Sequence, residues 1–374
     1  MRRSIRLYQV IKDGKSGERR FGFIDKRGKL VIGFDRLPKT TRAVGEFHEG
    51  RAWIYLRREA SESVGSRGYK LGYIDERGRI AIEPRFDSAR DFHEGLAYVR
   101  RQGFRGFIDR EGREVIKVDE LIKADDPQAK DFHEGLAAVG TRELEGRWGY
   151  IDRSGRLVVK PQYTFADDFS EGLAGVEIDK EKYGFINRQG EMVIAPRFLP
   201  RKAGFYIATI ATSRFSEGLA CVRLGESGYG YIDRKGEFVI PPQFKRAQQF
   251  SEGLAWVVAG DEKKVGWIDK SGRWVVTQAR GRNFSYEFKQ LLLIYKEELH
   301  DWRYSEGLVP FIIDSGAGYL WGYMDQNGEV VIKPGAFNRV GPFKDGLARI
   351  SFDGKAGETY GYIDRSGHLV WPSK

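Results

Sequence analysis

One pattern, Gly-aromatic-Ile-Asp-x-x-Gly, returns nine times along this chain. Its opening glycines are Gly22, Gly72, Gly106, Gly149, Gly184, Gly230, Gly266, Gly322 and Gly361. The intervals run 50, 34, 43, 35, 46, 36, 56 and 39 residues, so a common core is counted out with variable loops between copies. By length alone, 374 residues would suggest two or three ordinary domains. Internal repetition overrides that expectation and predicts a single repeat domain over 1–374.

The pattern predicts a hairpin. The aromatic residue and Ile alternate faces on a strand, as in Tyr150-Ile151 and Tyr231-Ile232. Asp then opens a tight turn, because its short side chain can accept from the backbone two residues on. Gly closes the turn in all nine copies, from Gly28 to Gly367, where a left-handed backbone is needed. A second strand follows, as in Leu157-Val158-Val159 and Phe238-Val239-Ile240. It is expected to stop at proline, at Pro84, Pro161, Pro196, Pro242 and Pro334, because proline cannot donate to a ladder.

A second signature precedes each hairpin. Phe-His-Glu-Gly stands at 47–50, 92–95 and 132–135, and Phe-Ser-Glu-Gly at 169–172, 215–218 and 250–253. Tyr304-Ser305-Glu306-Gly307 and Phe343-Lys344-Asp345-Gly346 complete the series. A metal ligand or general base would not be exchanged among His, Ser and Lys. His48, His93 and His133 therefore read as polar turn residues, with Phe filling a core and the acid bonding locally. A Leu-Ala-x-Val strand follows, as at Leu96–Val99 and Leu219–Val222.

Each unit is thus a three-stranded antiparallel meander. Burying its apolar side chains contributes about 1.5–3 kcal/mol each, while ordering its residues costs roughly 1.5 kcal/mol apiece. Those terms balance only when neighbouring units cover the bare faces. The expected fold is an all-β tandem repeat of nine meanders in an open, twisted array, with a closed β-propeller as the alternative. Approximate units are 1–47, 48–92, 93–132, 133–169, 170–215, 216–250, 251–304, 305–343 and 344–374.

Residues 147–176, "RWGYIDRSGRLVVKPQYTFADDFSEGLAGV", and 320–334, "LWGYMDQNGEVVIKP", resemble bacterial WG repeats. The resemblance covers nearly the whole chain. It implies a β-repeat scaffold, which in some members accompanies a separate effector or enzyme domain. The tryptophan that names the family precedes the motif glycine only at Trp148 and Trp321. Elsewhere the slot holds Phe21, Leu71, Arg105, Tyr183, Tyr229, Val265 and Tyr360, and Arg105 breaks its apolar character.

Three stretches depart from the repeat. Residues 284–304 carry Phe288, Leu291, Leu292, Tyr295 and Leu299 at helical spacing, predicting one inserted helix near 286–302. Its apolar face makes Leu291, Leu292 and Tyr295 candidates for contact with a protein partner. Residues 199–214 read as an extra hairpin, and 58–70 as a polar loop.

The net charge is +10, which favours anionic partners without choosing among them. Seven of the nine residues after the motif Asp or Asn are basic. Of these, Arg110, Arg153, Arg188, Arg234, Lys270 and Arg365 are the candidate residues for nucleic acid or another polyanion. Arg79, Arg113, Arg156 and Arg273 follow turn glycines nearby. The competing expectation is that such tips carry charge for solubility and edge protection.

No phosphate-cradling loop, zinc-type Cys pair, catalytic set or cofactor motif is present in the sequence. Cys221 is the single cysteine, which favours a reducing compartment. No apolar stretch is long enough for a membrane span. The expectation is a non-enzymatic, cytoplasmic scaffold that binds a protein partner through the array surface and 284–304. Polyanion binding at the tips is the alternative, and an enzyme with an unrecognised site is the weakest reading.

Overall fold

The computed structural model describes residues 6–13, 18–57, 68–122, 127–141, 147–179, 182–199, 213–261, 264–277, 303–314, 319–335, 337–354 and 357–372. The helix expected near 286–302, with Leu291, Leu292 and Tyr295, lies outside them. So does most of the expected hairpin at 199–214 and of the loop at 58–70.

The chain forms two compact units, Met1–Thr164 and Phe165–Lys374. Both consist of small antiparallel sheets whose strands pair in chain order. In the first unit, a three-stranded sheet (Tyr8–Asp13, Arg19–Ile24, Leu30–Ile32) precedes a four-stranded one (Thr41–Val44, Ala52–Arg57, Tyr69–Ile74, Ile80–Phe86). Two more four-stranded sheets follow, spanning Ser88–Lys117 and Pro127–Tyr163. In the second unit the sheets span Phe165–Phe198, Phe215–Thr277, Val309–Gly335 and Arg339–Trp371. Each sheet is open, and none closes into a barrel among the described residues.

The expected meander is present at every motif copy, and the connector often adds a fourth strand. That strand is short, as at Ser88–Ala89 and Phe165–Ala166. The seven-stranded sheet joins two meanders through one ten-residue strand, Phe238–Ala247. Its first part pairs Ile232 with Phe238, and its last part pairs Ala247 with Val257.

The strand after the hairpin does not stop at proline. Ile80–Phe86, Leu157–Tyr163 and Met192–Phe198 each run through it. A register shift accommodates the ring: Tyr150 pairs with Val159, but Trp148 pairs with Tyr163. The bulge moves the proline out of the ladder at a sheet edge, where its missing N–H costs nothing. The close approach of this strand also gives the opening motif glycine its reason: a Cβ on Gly149 would lie 2.2 Å from Val159 O and 2.7 Å from Pro161 N.

Both faces of the first hairpin strand are buried at the motif's aromatic-Ile pair. Tyr73-Ile74, Phe107-Ile108, Tyr150-Ile151 and Tyr231-Ile232 are all 0% exposed. The motif aromatic packs edge-on against the Phe of the following loop signature. Centroids are 4.9 Å apart for Tyr73–Phe92, 4.8 Å for Tyr231–Phe250 and 4.9 Å for Tyr323–Phe343. The Tyr73 and Tyr231 hydroxyls donate to the carbonyls of Arg90 and Gln248, each at 2.7 Å. Such pairs are worth about 0.5–1.5 kcal/mol beyond burial.

Arg105 is accommodated by an element the sequence reading lacked, the short helix Val118–Leu121. Asp119 on that helix accepts from the Arg105 backbone N–H at 2.8 Å and from its guanidinium at 3.4 Å.

Candidate functional site

The most regular chemistry lies in the Glu-Gly loops. Each is a two-residue hairpin. His93 N–H donates to Leu96 O at 2.9 Å, and Leu96 N–H donates back to His93 O at 3.1 Å. Such a turn needs two residues in the left-handed region, usually Asn-Gly or Asp-Gly. Here the first is an acid: Glu49, Glu94, Glu134, Glu171, Glu217, Glu252, Glu306 and Asp345 sit at φ between 50° and 56°. A side chain there costs roughly 1–2 kcal/mol.

What offsets that strain is a bond to the Glu-Gly loop of the next repeat. The Glu49 carboxylate accepts from Gly95 N–H at 2.7 Å, and Glu94 accepts from Gly135 N–H at 2.9 Å. In the second unit Glu171 takes Gly218, Glu217 takes Gly253, and Glu306 takes Gly346, each at 2.9 Å. Glu252 takes Gly307 at 2.7 Å. A charge-assisted bond of this kind contributes about 1.5–3 kcal/mol, enough to hold the glutamate in its unfavourable backbone. The acid was expected to bond locally; it bonds 36 to 55 residues away in the second unit's longest and shortest cases.

The candidate polyanion residues meet the same loops. Arg110 donates to the Glu49 carboxylate at 2.9 Å, and Arg153 donates to the Glu94 carbonyl at 2.8 Å. Lys270 lies 3.1 Å from the Glu217 carboxylate. Arg234 reaches within 3.1 Å of where a Cβ on Gly172 would sit, and Arg365 within 3.8 Å of the same point on Gly307. Arg188 is exposed on its hairpin tip. Partial burial pushes the Glu49 carboxyl up, but the Arg110 and Gly95 bonds outweigh it and hold the group below its usual range.

The basic residues after the turn glycines are held differently. Arg113, Arg156 and Arg273 each pair with the Asp of their own turn, at 2.5, 3.2 and 3.0 Å. Their side chains remain 74%, 79% and 82% exposed. In the same turns the Asp also accepts from backbone N–H groups two and four residues on, as Asp269 does from Ser271 at 2.9 Å and Arg273 at 3.1 Å. The Ser271 hydroxyl, with these bonds, holds the Asp269 carboxyl down to about 2.

A family model for the WG containing repeat matches residues 72–103, 148–181, 183–198, 229–262 and 321–355. These five stretches are WG repeats. The matched stretches contain the hairpin and, in the longer ones, the Glu-Gly loop. None of the curated proteins compared with it matches this WG-repeat chain. Among solved structures, a eukaryotic initiation factor matches over 98% of this chain and 95% of its own, at TM-score 0.58 and 9% identity. BamB from Moraxella catarrhalis matches over 86% and 95%, at TM-score 0.39 and 12% identity. The first likeness is one of fold; the second is too distant to carry an argument.

Among the described residues, no group of three or more His, Cys, Asp or Glu is placed to hold a metal ion. No helix among them is long and apolar enough to cross a membrane. The sequence carried one signal for the role of the glutamate: the residue before it varies while the acid does not, and a Glu occupies a turn position that ordinarily selects Asn or Asp.

Proposed function

We propose that this WG-repeat protein is a non-enzymatic scaffold that binds a protein partner through the array surface and the 284–304 segment. The observation that carries this reading is where the recurrent polar groups go. The loop glutamates and several tip cations close onto neighbouring repeats, where they build junctions, and the turn aspartates close onto their own turns. Residues 284–304 are outside the repeat pattern, and their apolar face, Leu291, Leu292 and Tyr295, is surplus to it. A cytoplasmic setting belongs to this reading, with Cys221 as the only thiol.

Polyanion binding is the second reading, and the exposed guanidiniums of Arg113, Arg156 and Arg273 favour it. One experiment separates the two. Purified protein is tested against labelled single-stranded and duplex nucleic acid at about 50 and 200 mM salt, where counterion release makes such binding fall steeply. The scaffold reading expects no tight, salt-sensitive binding. It expects instead a partner interaction that Leu291→Asp or Leu292→Asp weakens while circular dichroism stays unchanged. Tight binding lost on the Arg153→Glu, Arg188→Glu, Arg234→Glu triple change would replace it.

A further inference from the structure

The position before each junction glutamate varies, and its variants are segregated in space. In Phe165–Lys374 it holds Ser170, Ser216, Ser251 and Ser305. Their hydroxyls donate to the carbonyls of Phe215, Phe250, Tyr304 and Phe343 in the loop signature of the following repeat, at 2.7, 2.8, 2.8 and 2.6 Å. In Met1–Thr164 the same position holds His48, His93 and His133, and these form a column. Ring centroids are 5.6 Å apart for His48–His93, tilted by 42°, and 5.5 Å apart for His93–His133, tilted by 39°. The tally along the sequence treated His and Ser as interchangeable. The fold gathers the three histidines side by side.

Asp91 stands beside the first two rings. Its Oδ2 lies 3.6 Å from His48 Nε2. Its Oδ1 is buried and accepts no hydrogen bond. Burial pushes this carboxyl up, against the pull of His48 and His93, and the nearby acids Asp131 and Glu46 add to the rise. Asp131 is itself 3.6 Å from the Arg90 guanidinium. Tyr73, whose phenol is also pushed up by burial and by Asp91 and Asp131, donates to the carbonyl of Arg90 next to Asp91. Glu49, next to His48, is occupied by Gly95 and Arg110.

We propose that His48 and His93, sharing Asp91, form a proton-operated element in the junction between the sheet ending at Phe86 and the sheet beginning at Ser88. Serine at this position is indifferent to pH, whereas imidazole ordinarily changes charge near neutrality. At this separation a charge on one ring lies within electrostatic reach of the other. The first proton on the pair answers the Asp91 carboxylate. A second sets two like charges face to face over one carboxylate. The junction therefore passes through distinct charge states that the serine junctions lack.

The test is a histidine-resolved NMR titration of the full chain from about pH 5 to 8. Wild type is compared with His48→Ser and His93→Ser, substitutions whose side chain the other loops already use. Removing His48 removes both a competitor for Asp91 and a repelling charge. The His93 midpoint is expected to move up by several tenths of a pH unit, the reciprocal change to move His48 likewise, and His368 in the other unit to stay fixed. The Gly95 amide, bonded to Glu49, is expected to change its protection factor across this range in wild type and not in the double Ser variant. Asp91→Asn keeps both rings and is expected to lower both midpoints, which keeps the test open if a Ser variant fails to fold. Superimposable His93 curves in wild type and His48→Ser, or midpoints unmoved by Asp91→Asn, would overturn the proposal.

Discussion

At the scale of single residues, the left-handed glutamate is a trade between backbone strain and one bond. Glu94→Ala keeps a Cβ in the left-handed region and removes the acceptor for Gly135, so it should destabilise by about 1–2 kcal/mol. Glu94→Gly loses the same bond but relieves the strain, and should be milder than Ala by roughly 1 kcal/mol. Chemical denaturation of the two variants decides this; equal losses would mean the strain is absent. Glycines offer a paired comparison. Gly236 and Gly253 share a left-handed φ of 87° and 84°, but a Cβ on Gly236 would meet Ile194 Cγ2 at 2.9 Å, while nothing lies within 4 Å of one on Gly253. Gly253→Ala should cost only the backbone term, about 1 kcal/mol, and Gly236→Ala clearly more, read as the larger drop in Tm. The sequence made both glycines legible as turn residues. It did not reveal the Ile194 contact, because that partner belongs to a different sheet and variable loops hide the pairing.

At the scale of elements, the hairpin was the legible part. Its turn residues act over four positions, and local bonding needs no knowledge of the rest of the chain. Asn187 filling the Asp position shows that the turn needs an acceptor more than a charge: its Oδ1 accepts from Gln189 at 3.0 Å and Glu191 at 2.9 Å. The carboxylates add a pH dependence that Asn does not. Because the folded Asp269 carboxyl is held down to about 2, below its unfolded value near 3.9, its contribution is complete above the unfolded value. It is lost as pH falls through the folded one. Asp269→Asn should therefore lower the Tm modestly near pH 6 and reduce its fall between about pH 4 and 2, the two proteins converging in acid. A scanning-calorimetry series that gave parallel acid limbs would refute this. Less legible were the fourth strands. Ser88–Ala89 and Phe165–Ala166 are two residues long, too short to display an alternation of period two. The proline-bearing strands misled for the opposite reason: in Ile80–Phe86, Leu157–Tyr163 and Met192–Phe198 a bulge at a sheet edge takes the proline out of the ladder, so the strand continues past it.

At the scale of the whole molecule, stability should behave as a chain of neighbouring junctions, each made of one carboxylate, one glycine amide and often a tip cation. Changes at separate junctions share no partner, so their effects should add; changes within one junction should not. The second unit supplies both cases. Glu171→Ala and Glu306→Ala remove acceptors for Gly218 and Gly346 in different junctions. Their combined loss should equal the sum within about 0.5 kcal/mol. Glu217→Ala and Lys270→Ala act on the same junction, across a contact of 3.1 Å. Once Glu217 is gone, Lys270 has lost the carboxylate it was holding, and its removal should cost less than it does alone. Equilibrium denaturation of the two double-mutant cycles measures both quantities. Coupling at the shared junction with additivity at the separated ones would make Lys270 a structural clamp. Additivity everywhere would release that cation from the architecture and return it, with its counterparts at the other tips, to the surface available to a polyanion.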